Sequence, residues 1–189
     1  MAQSYAYIRE QVVQGVIRAS IANPIPLDRI RAQFDAAFFS INSQTAQAYA
    51  AQQDKRELLR TFSTITFVSG NGDLPTSTLK AYIEDGTFVP NGVVPAKSHY
   101  SFRRYPDWLR GGDTRLGLWT QVGDVIKAKT PAPVAAFSGT AACSFISSPE
   151  VPATESADFV APDDFYPDFI AAMTQYILGQ PMEVASQTA

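Results

Sequence analysis

Apolar positions recur every three or four residues at both ends of the chain, and the period changes in the middle. From Ser4 to Ala22, Ile8, Val12 and Val16 mark one side of an amphipathic helix, with Val13 and Ile17 beside them and Gly15 as a slight weakness. Asn23-Pro24-Ile25-Pro26 ends it, because each proline disfavours helix in the residue before it. A second helix begins at Leu27, where Ile30, Phe34, Ala37, Phe38 and Ile41 keep the same spacing. After Ile41 the run NSQTAQAYAAQQDKRELL is rich in Ala and Gln and polar nearly all round. Two readings are open for it: a helix extended toward Leu59 that lies against something outside its own domain, or a solvated helix end or loop.

From Thr61, Phe62, Ile65, Phe67 and Val68 alternate with Thr and Ser, a strand composition. Ser69-Gly70-Asn71-Gly72-Asp73 reads as a turn cluster, Thr78 to Glu84 as a second strand, Asp85-Gly86 as a turn, and Thr87 to Val89 as a short extended piece before Pro90-Asn91-Gly92. Leu116 to Gln121 and Val125 to Lys129 are strands about a tight Gly123-Asp124 turn. Pro131 and Pro133 separate them from the small apolar strand Thr140 to Ser147. Pro149, Pro152 and Pro162 forbid a continuous ladder or helix next. A closing helix follows. Asp163, Asp164 and Asp168 are placed to cap its first turn, and Phe165, Phe169, Ala172, Met173, Tyr176 and Ile177 are at helical spacing. Gly179 and Pro181 stop it. The class is α+β, with an N-terminal helical pair, an antiparallel β region and a C-terminal helix. The expectation is one domain: residues 1–60 helical, 61–148 mainly β, 149–180 an acidic connector and closing helix, and 181–189 a frayed tail.

Charge divides along this layout. All 15 Lys and Arg lie at or before Lys129, against 11 acids, a net of +4; residues 130–189 carry seven acids and neither Lys nor Arg. Either an acidic closing segment sits beside a mildly basic body, or the molecule is polar and packs head-to-tail with its own copies. Neither part is basic enough to argue for nucleic acid by charge alone. With no apolar run of ~18 residues, no membrane span is expected. The start MAQSYAYIREQ lacks a secretory pattern, which with a single cysteine suits a cytoplasmic origin.

Residues 98–115, SHYSFRRYPDWLRGGDTR, interleave Tyr100, Phe102, Tyr105 and Trp108 with Arg103, Arg104 and Arg110. Such composition suits an excursion packed on the sheet by its rings, a protein interface, or a platform for single-stranded nucleic acid. Chemistry is otherwise sparse. His99 is the only histidine and has no zinc-site pattern around it. Cys143 sits in a predicted buried strand as an inert thiol. Asp163, Asp164 and Asp168 are explained by capping without a metal. No phosphate loop or dinucleotide fingerprint exists, so no cofactor and no catalytic set are expected.

Taken together, the helical pair, the strand–Leu-Pro–strand step in TFSTITFVSGNGDLPTSTLKAYIEDG, and the strand, connector and helix of FISSPEVPATESADFVAPDDFYPDFIAAMTQYILG resemble the head–tail adaptor (connector or neck) proteins of tailed bacteriophages. The likeness covers about Leu27 to Gly179 in order of elements. It implies a virion structural protein, made in the host cytoplasm and located in the virion neck. Copies would form a ring, twelvefold by resemblance, between the portal protein and a tail or nozzle protein. DNA would pass through without specific binding. Candidate contact residues are Thr45, Gln47, Tyr49, Gln52, Lys55 and Arg56 on the polar helix, the C-terminal tail, and Arg103, Arg104, Tyr105 and Trp108. Competing readings are another virion assembly component (tail completion or minor capsid protein), a small hydrolase using His99 with Asp107 or Asp113, and a single-strand nucleic-acid binder using Tyr100, Phe102, Arg103, Arg104 and Trp108.

Overall fold

The computed structural model describes residues 2–79, 82, 87–91, 100–110, 117–131 and 135–179. Its elements, in chain order, are β1 (Gln3–Ser4), α1 (Tyr5–Ala19), α2 (Leu27–Ala51), α3 (Gln53–Arg56) with a 3-10 turn at Glu57–Leu59, β2 (Arg60–Phe67), β3 (Asn71–Asp73), β4 (Thr87–Pro90), β5 (Tyr100–Phe102), α4 (Tyr105–Arg110), β6 (Gly117–Val122), β7 (Val125–Lys129), β8 (Gly139–Ile146), β9 (Asp158–Phe159) and α5 (Phe165–Ile177). The α+β class holds, with helices at both ends and mostly antiparallel sheets between. By residue contacts the chain divides into two compact units: Met1–Leu59 with Ser148–Ala189, and Arg60–Ser147.

The helical unit packs α1, α2 and α5 around an aromatic core. Ser4 caps α1 by accepting from the Tyr7 N–H at 3.2 Å, and the helix ends at Ala19, three residues before the expected limit. Ile8, Val12, Val13 and Val16 are buried as the spacing requires, but Ile17 is exposed. Phe34 and Phe38 of α2 meet Tyr5, Phe159 and Phe169 in edge-on and tilted contacts at 4.8–5.5 Å, close to the geometry that ring quadrupoles favour. The connector is not merely a spacer. β9 pairs antiparallel with β1, the Ala6 N–H donates to Glu155 O at 3.2 Å, and Arg9 makes a two-point contact with the Glu155 carboxylate at 2.8 and 3.1 Å. In α5, Phe165, Phe169, Met173 and Ile177 are buried, whereas Tyr176, expected on that face, is exposed.

Three expectations for this unit are corrected. The second half of α2 is not polar all round: Asn42, Thr45, Ala46, Tyr49 and Ala50 are buried. These side chains continue the buried stripe at helical spacing, and, Tyr49 apart, their small size suits close helix packing. The helix also stops short of Leu59, at Ala51, because Gln52 is extended (φ −95°, ψ 122°). At the start of α5, Asp164 makes no side-chain capping bond; its carbonyl instead accepts from the Tyr49 hydroxyl at 2.5 Å.

In the β unit, a three-stranded sheet (β2-β8-β4) and a four-stranded sheet (β3-β7-β6-β5) share one core. Ile65, Phe67, Phe88, Cys143 and Phe145 of the first meet Trp119, Ile126 and Ala128 of the second. Residues 69–73 are not all turn. Ser69 (φ 49°) and Gly70 (φ 81°) form a two-residue hairpin turn closed by Val68 and Asn71, and β3 follows at once. Gly72 is required there: a Cβ would stand 2.6 Å from Ile65 Cγ2 and 2.8 Å from Phe67 Cε1. The strand expected from Thr78 to Glu84 is reduced, among its described residues, to one bridge from Thr78 to Ser147. β5, which pairs parallel with β6, and α4 are elements that the sequence reading did not define.

Candidate interaction surface

The surface begins with the parity of β7. Val125–Lys129 alternates, burying Ile126 and Ala128 in the core, so Lys127 and Lys129 project together from the outer side of the sheet. β5 leads directly into α4, whose first bonds run from the Asp107 and Trp108 N–H groups to Arg104 O. This brings Trp108 to the lysines. Lys129 Nζ stands 3.8 Å from the centroid of the Trp108 ring and donates to Trp108 O at 3.3 Å. Lys127 Nζ donates to Asn71 Oδ1 at 3.1 Å, a neutral partner that leaves its charge uncompensated by that bond. Between these groups lies a cleft of about 340 Å³, lined by residues 69–71, Trp108, residues 127–129, Ala135 and Ala136. Among the described residues, no carboxylate lines it. The indole Nε1 of Trp108 is buried and has no hydrogen-bond partner among the described residues.

Charge concentrates beside this cleft. The β unit carries nine Lys and Arg against six acids, a net of +3; the helical unit carries six against twelve, a net of −6. Five of the nine cations (Arg103, Arg104, Arg110, Lys127 and Lys129) lie on or next to α4 and β7. The acid on α4, Asp107, sits 3.7 Å from Arg110.

The aromatic-Arg segment thus divides its rings. Tyr100 and Phe102 pack partly buried on the β core, Phe102 edge-on to Trp119 at 5.0 Å, and burial pushes the Tyr100 hydroxyl upward in pKa. Tyr105 stacks on Trp108 at 5.9 Å and an interplanar angle of 20°. Arg103 and Arg104 are exposed. Of the predicted contact residues, then, Tyr105 and Trp108 are stacked together, and Arg103 and Arg104 are exposed just before them in the chain. The sequence reading missed Lys127 and Lys129; the K-x-K alternation within a predicted strand was the signal that places both on one side.

The contact residues predicted on α2 have a different fate. Thr45 is buried and returns its hydroxyl to Ile41 O at 2.8 Å. Tyr49 is 2 % exposed and bonds to Asp168. Lys55 pairs with Asp168 at 3.2 Å and lies 4.6 Å over the Tyr49 ring. Arg56 Nε donates to Ala50 O at 2.8 Å. Gln47 is exposed and Gln52 half-buried. His99, Asp113 and the C-terminal tail lie outside the described residues. Asp107 stands on the exposed face of α4. Among the described residues, no group of three or more His, Cys, Asp or Glu side chains converges as a metal site, and no helix is long and apolar enough to cross a membrane.

No protein-family model matches the sequence, and no curated protein matches it.

Proposed function

We propose that the chain is a non-catalytic structural protein of the head–tail adaptor kind found in tailed bacteriophages. It assembles into a ring in the virion neck between portal and tail and leaves the DNA path without specific binding. The observation that carries this reading is the pairing of opposite net charges, −6 and +3, on two compact units of one chain. A molecule with one acidic and one basic unit favours contact with its own copies through unlike surfaces, and such heterologous contacts close into rings when the rotation per copy allows. The order of elements adds to it: helices at both ends, a β unit between them, and an acidic Pro-spaced connector before the last helix.

Light scattering on the purified chain, alone and then with candidate portal and tail proteins, tests the proposal. A ring-sized species, or a monomer that becomes one with a partner, is the expected result. A strict monomer that ignores every virion partner overturns it.

A further inference from the structure

We propose that the cleft beside Trp108 receives the exposed loop Glu150-Val151-Pro152-Ala153-Thr154 of a second copy. The inference rests on the ring-assembly reading and names the contact that would build the ring.

The two surfaces are complementary in charge and in kind. The cleft offers two ammonium groups, an indole and the methyls of Ala135 and Ala136, with no carboxylate among the described residues that line it. Its volume of about 340 Å³ falls in the range of sites that take a few side chains. The loop offers a carboxylate, an exposed valine and a proline in succession. Val151 is 40 % exposed, and neither it nor Glu150 belongs to the unit's core. Residues 148–164 hold five acids and no Lys or Arg, so the loop enters a basic face without like-charge repulsion. Extended, proline-containing segments are pre-ordered and dock on aromatic grooves at low entropic cost. In this arrangement Glu150 meets Lys127, and Val151-Pro152 lies against the edge of the indole and the alanines. The donor loop belongs to the helical unit and the receptor cleft to the β unit, so the contact is head-to-tail.

A single strand of nucleic acid is the other class that a cationic aromatic face attracts. It needs open ring faces for stacking. Here Trp108 is already engaged by Tyr105 and by Lys129, while Tyr100 and Phe102 pack on the core. The observations favour the peptide.

The test uses the full chain and a capped peptide of residues 147–156, SSPEVPATES. Trp108 is the reporter, since Trp119, the second of two tryptophans, is buried in the core. Peptide is expected to change the emission saturably and to bind more weakly as salt is raised. Lys127→Glu should weaken binding by about tenfold, and an E150K peptide should recover affinity for that variant. Lys127→Gln, which adds no new charge, gives the same direction if the reversal unfolds the chain. No saturable change up to about 1 mM peptide, where binding is worth only ~4 kcal/mol, overturns the assignment. So does an E150K peptide that binds the unaltered chain equally well, or an oligothymidylate that alone produces the change. Light scattering separates the two proposals. A K127E chain that still forms the same ring overturns this contact and leaves the adaptor reading intact. A chain that binds the peptide yet stays monomeric with every partner overturns the adaptor reading and leaves the cleft assigned.

Discussion

The Tyr49 hydroxyl lies 2.8 Å from Oδ2 of Asp168, and the same carboxylate oxygen takes Lys55 Nζ at 3.2 Å. This small network fastens the C-terminal half of α2 to the first turn of α5. Tyr49 adds a bond to Asp164 O and an edge-on contact with Phe165 at 5.2 Å. Tyr49→Phe keeps the ring and removes only the hydroxyl, so it should cost about 1.5 kcal/mol, the worth of a hydrogen bond to a charged group. Lys55→Ala, at a partly exposed pair, should cost under about 1 kcal/mol. Urea denaturation of both variants checks the ranking.

The same hydroxyl gives the fold an alkaline limit. Burial first, and the bonded Asp168 second, push the Tyr49 hydroxyl well above the usual phenol range; burial and Asp35 do the same to Tyr5. A group whose folded pKa is raised contributes stability that is complete below its unfolded value, about 10, and is lost as pH rises beyond it. Stability should therefore fall above about pH 10. The fall should be shallower in Tyr49→Phe, and shallower still with Tyr5→Phe added. Denaturation midpoints taken from neutral to alkaline pH read this directly; equal slopes in all three proteins would refute it.

At the acidic end the governing pair is Arg9 with Glu155. The hydrogen bonds from Arg9, and then its charge, hold the Glu155 carboxyl below the usual carboxylate range. A depressed folded pKa contributes stability present above the unfolded value, about 4.3, and lost as pH falls through the folded one. The carboxylate faces solvent, so the effect is modest, but it is local. Glu155→Gln should narrow the difference in stability between neutral pH and about pH 3, with the larger change in hydrogen exchange of the Ala6 amide, which donates to Glu155 O.

Much of this fold was legible because its apolar stripes are made of large residues. Ile8, Val12 and Val16, then Ile30, Phe34 and Phe38, then Phe165, Phe169 and Met173 each declare a buried helix face. The C-terminal half of α2 buries Asn42, Thr45, Ala46 and Ala50 instead, residues that a hydropathy pattern scores as indifferent. Their burial is set by what packs over them. β1 and β9 are two residues each and some 155 positions apart, so no periodicity announces them. The cleft was half legible. Strand parity puts Lys127 beside Lys129, and composition singles out Trp108, but only the tertiary path from β5 into α4 brings the indole to the ammonium groups.

The hairpin between β2 and β3 holds a removable strain. Ser69 has a φ of 49°, a left-handed conformation that Gly or Asn adopts at less cost. Its side chain is not needed for the contact there, since it is the Ser69 backbone N–H that donates to Ser138 Oγ at 3.2 Å. Ser69→Asn should raise stability by about 0.5 kcal/mol and Ser69→Gly by a similar amount. Three residues on, Gly72→Ala should lower it by about 1–3 kcal/mol, because the new methyl would press on Ile65 and Phe67. Thermal melts of the three variants should therefore move in opposite directions within one short turn.

Cys143 provides a last check, on the packing of the β core. It is 1 % exposed, lies between Ala142 and Ser144 in the central strand of its sheet, and belongs to the cluster with Phe67, Phe88 and Phe145. Burial alone pushes its thiol up to about 12, so the nucleophilic thiolate is scarce at neutral pH and shielded where it forms. Native protein should leave an aromatic disulfide reagent almost untouched, whereas denatured protein should release one equivalent at once, since Cys143 is the only thiol in the chain. The slow native reaction should accelerate in Gly72→Ala, because that substitution raises the population of open molecules through which the reagent must pass. A native thiol that reacts as fast as the denatured one would mean that the two sheets do not close over this core.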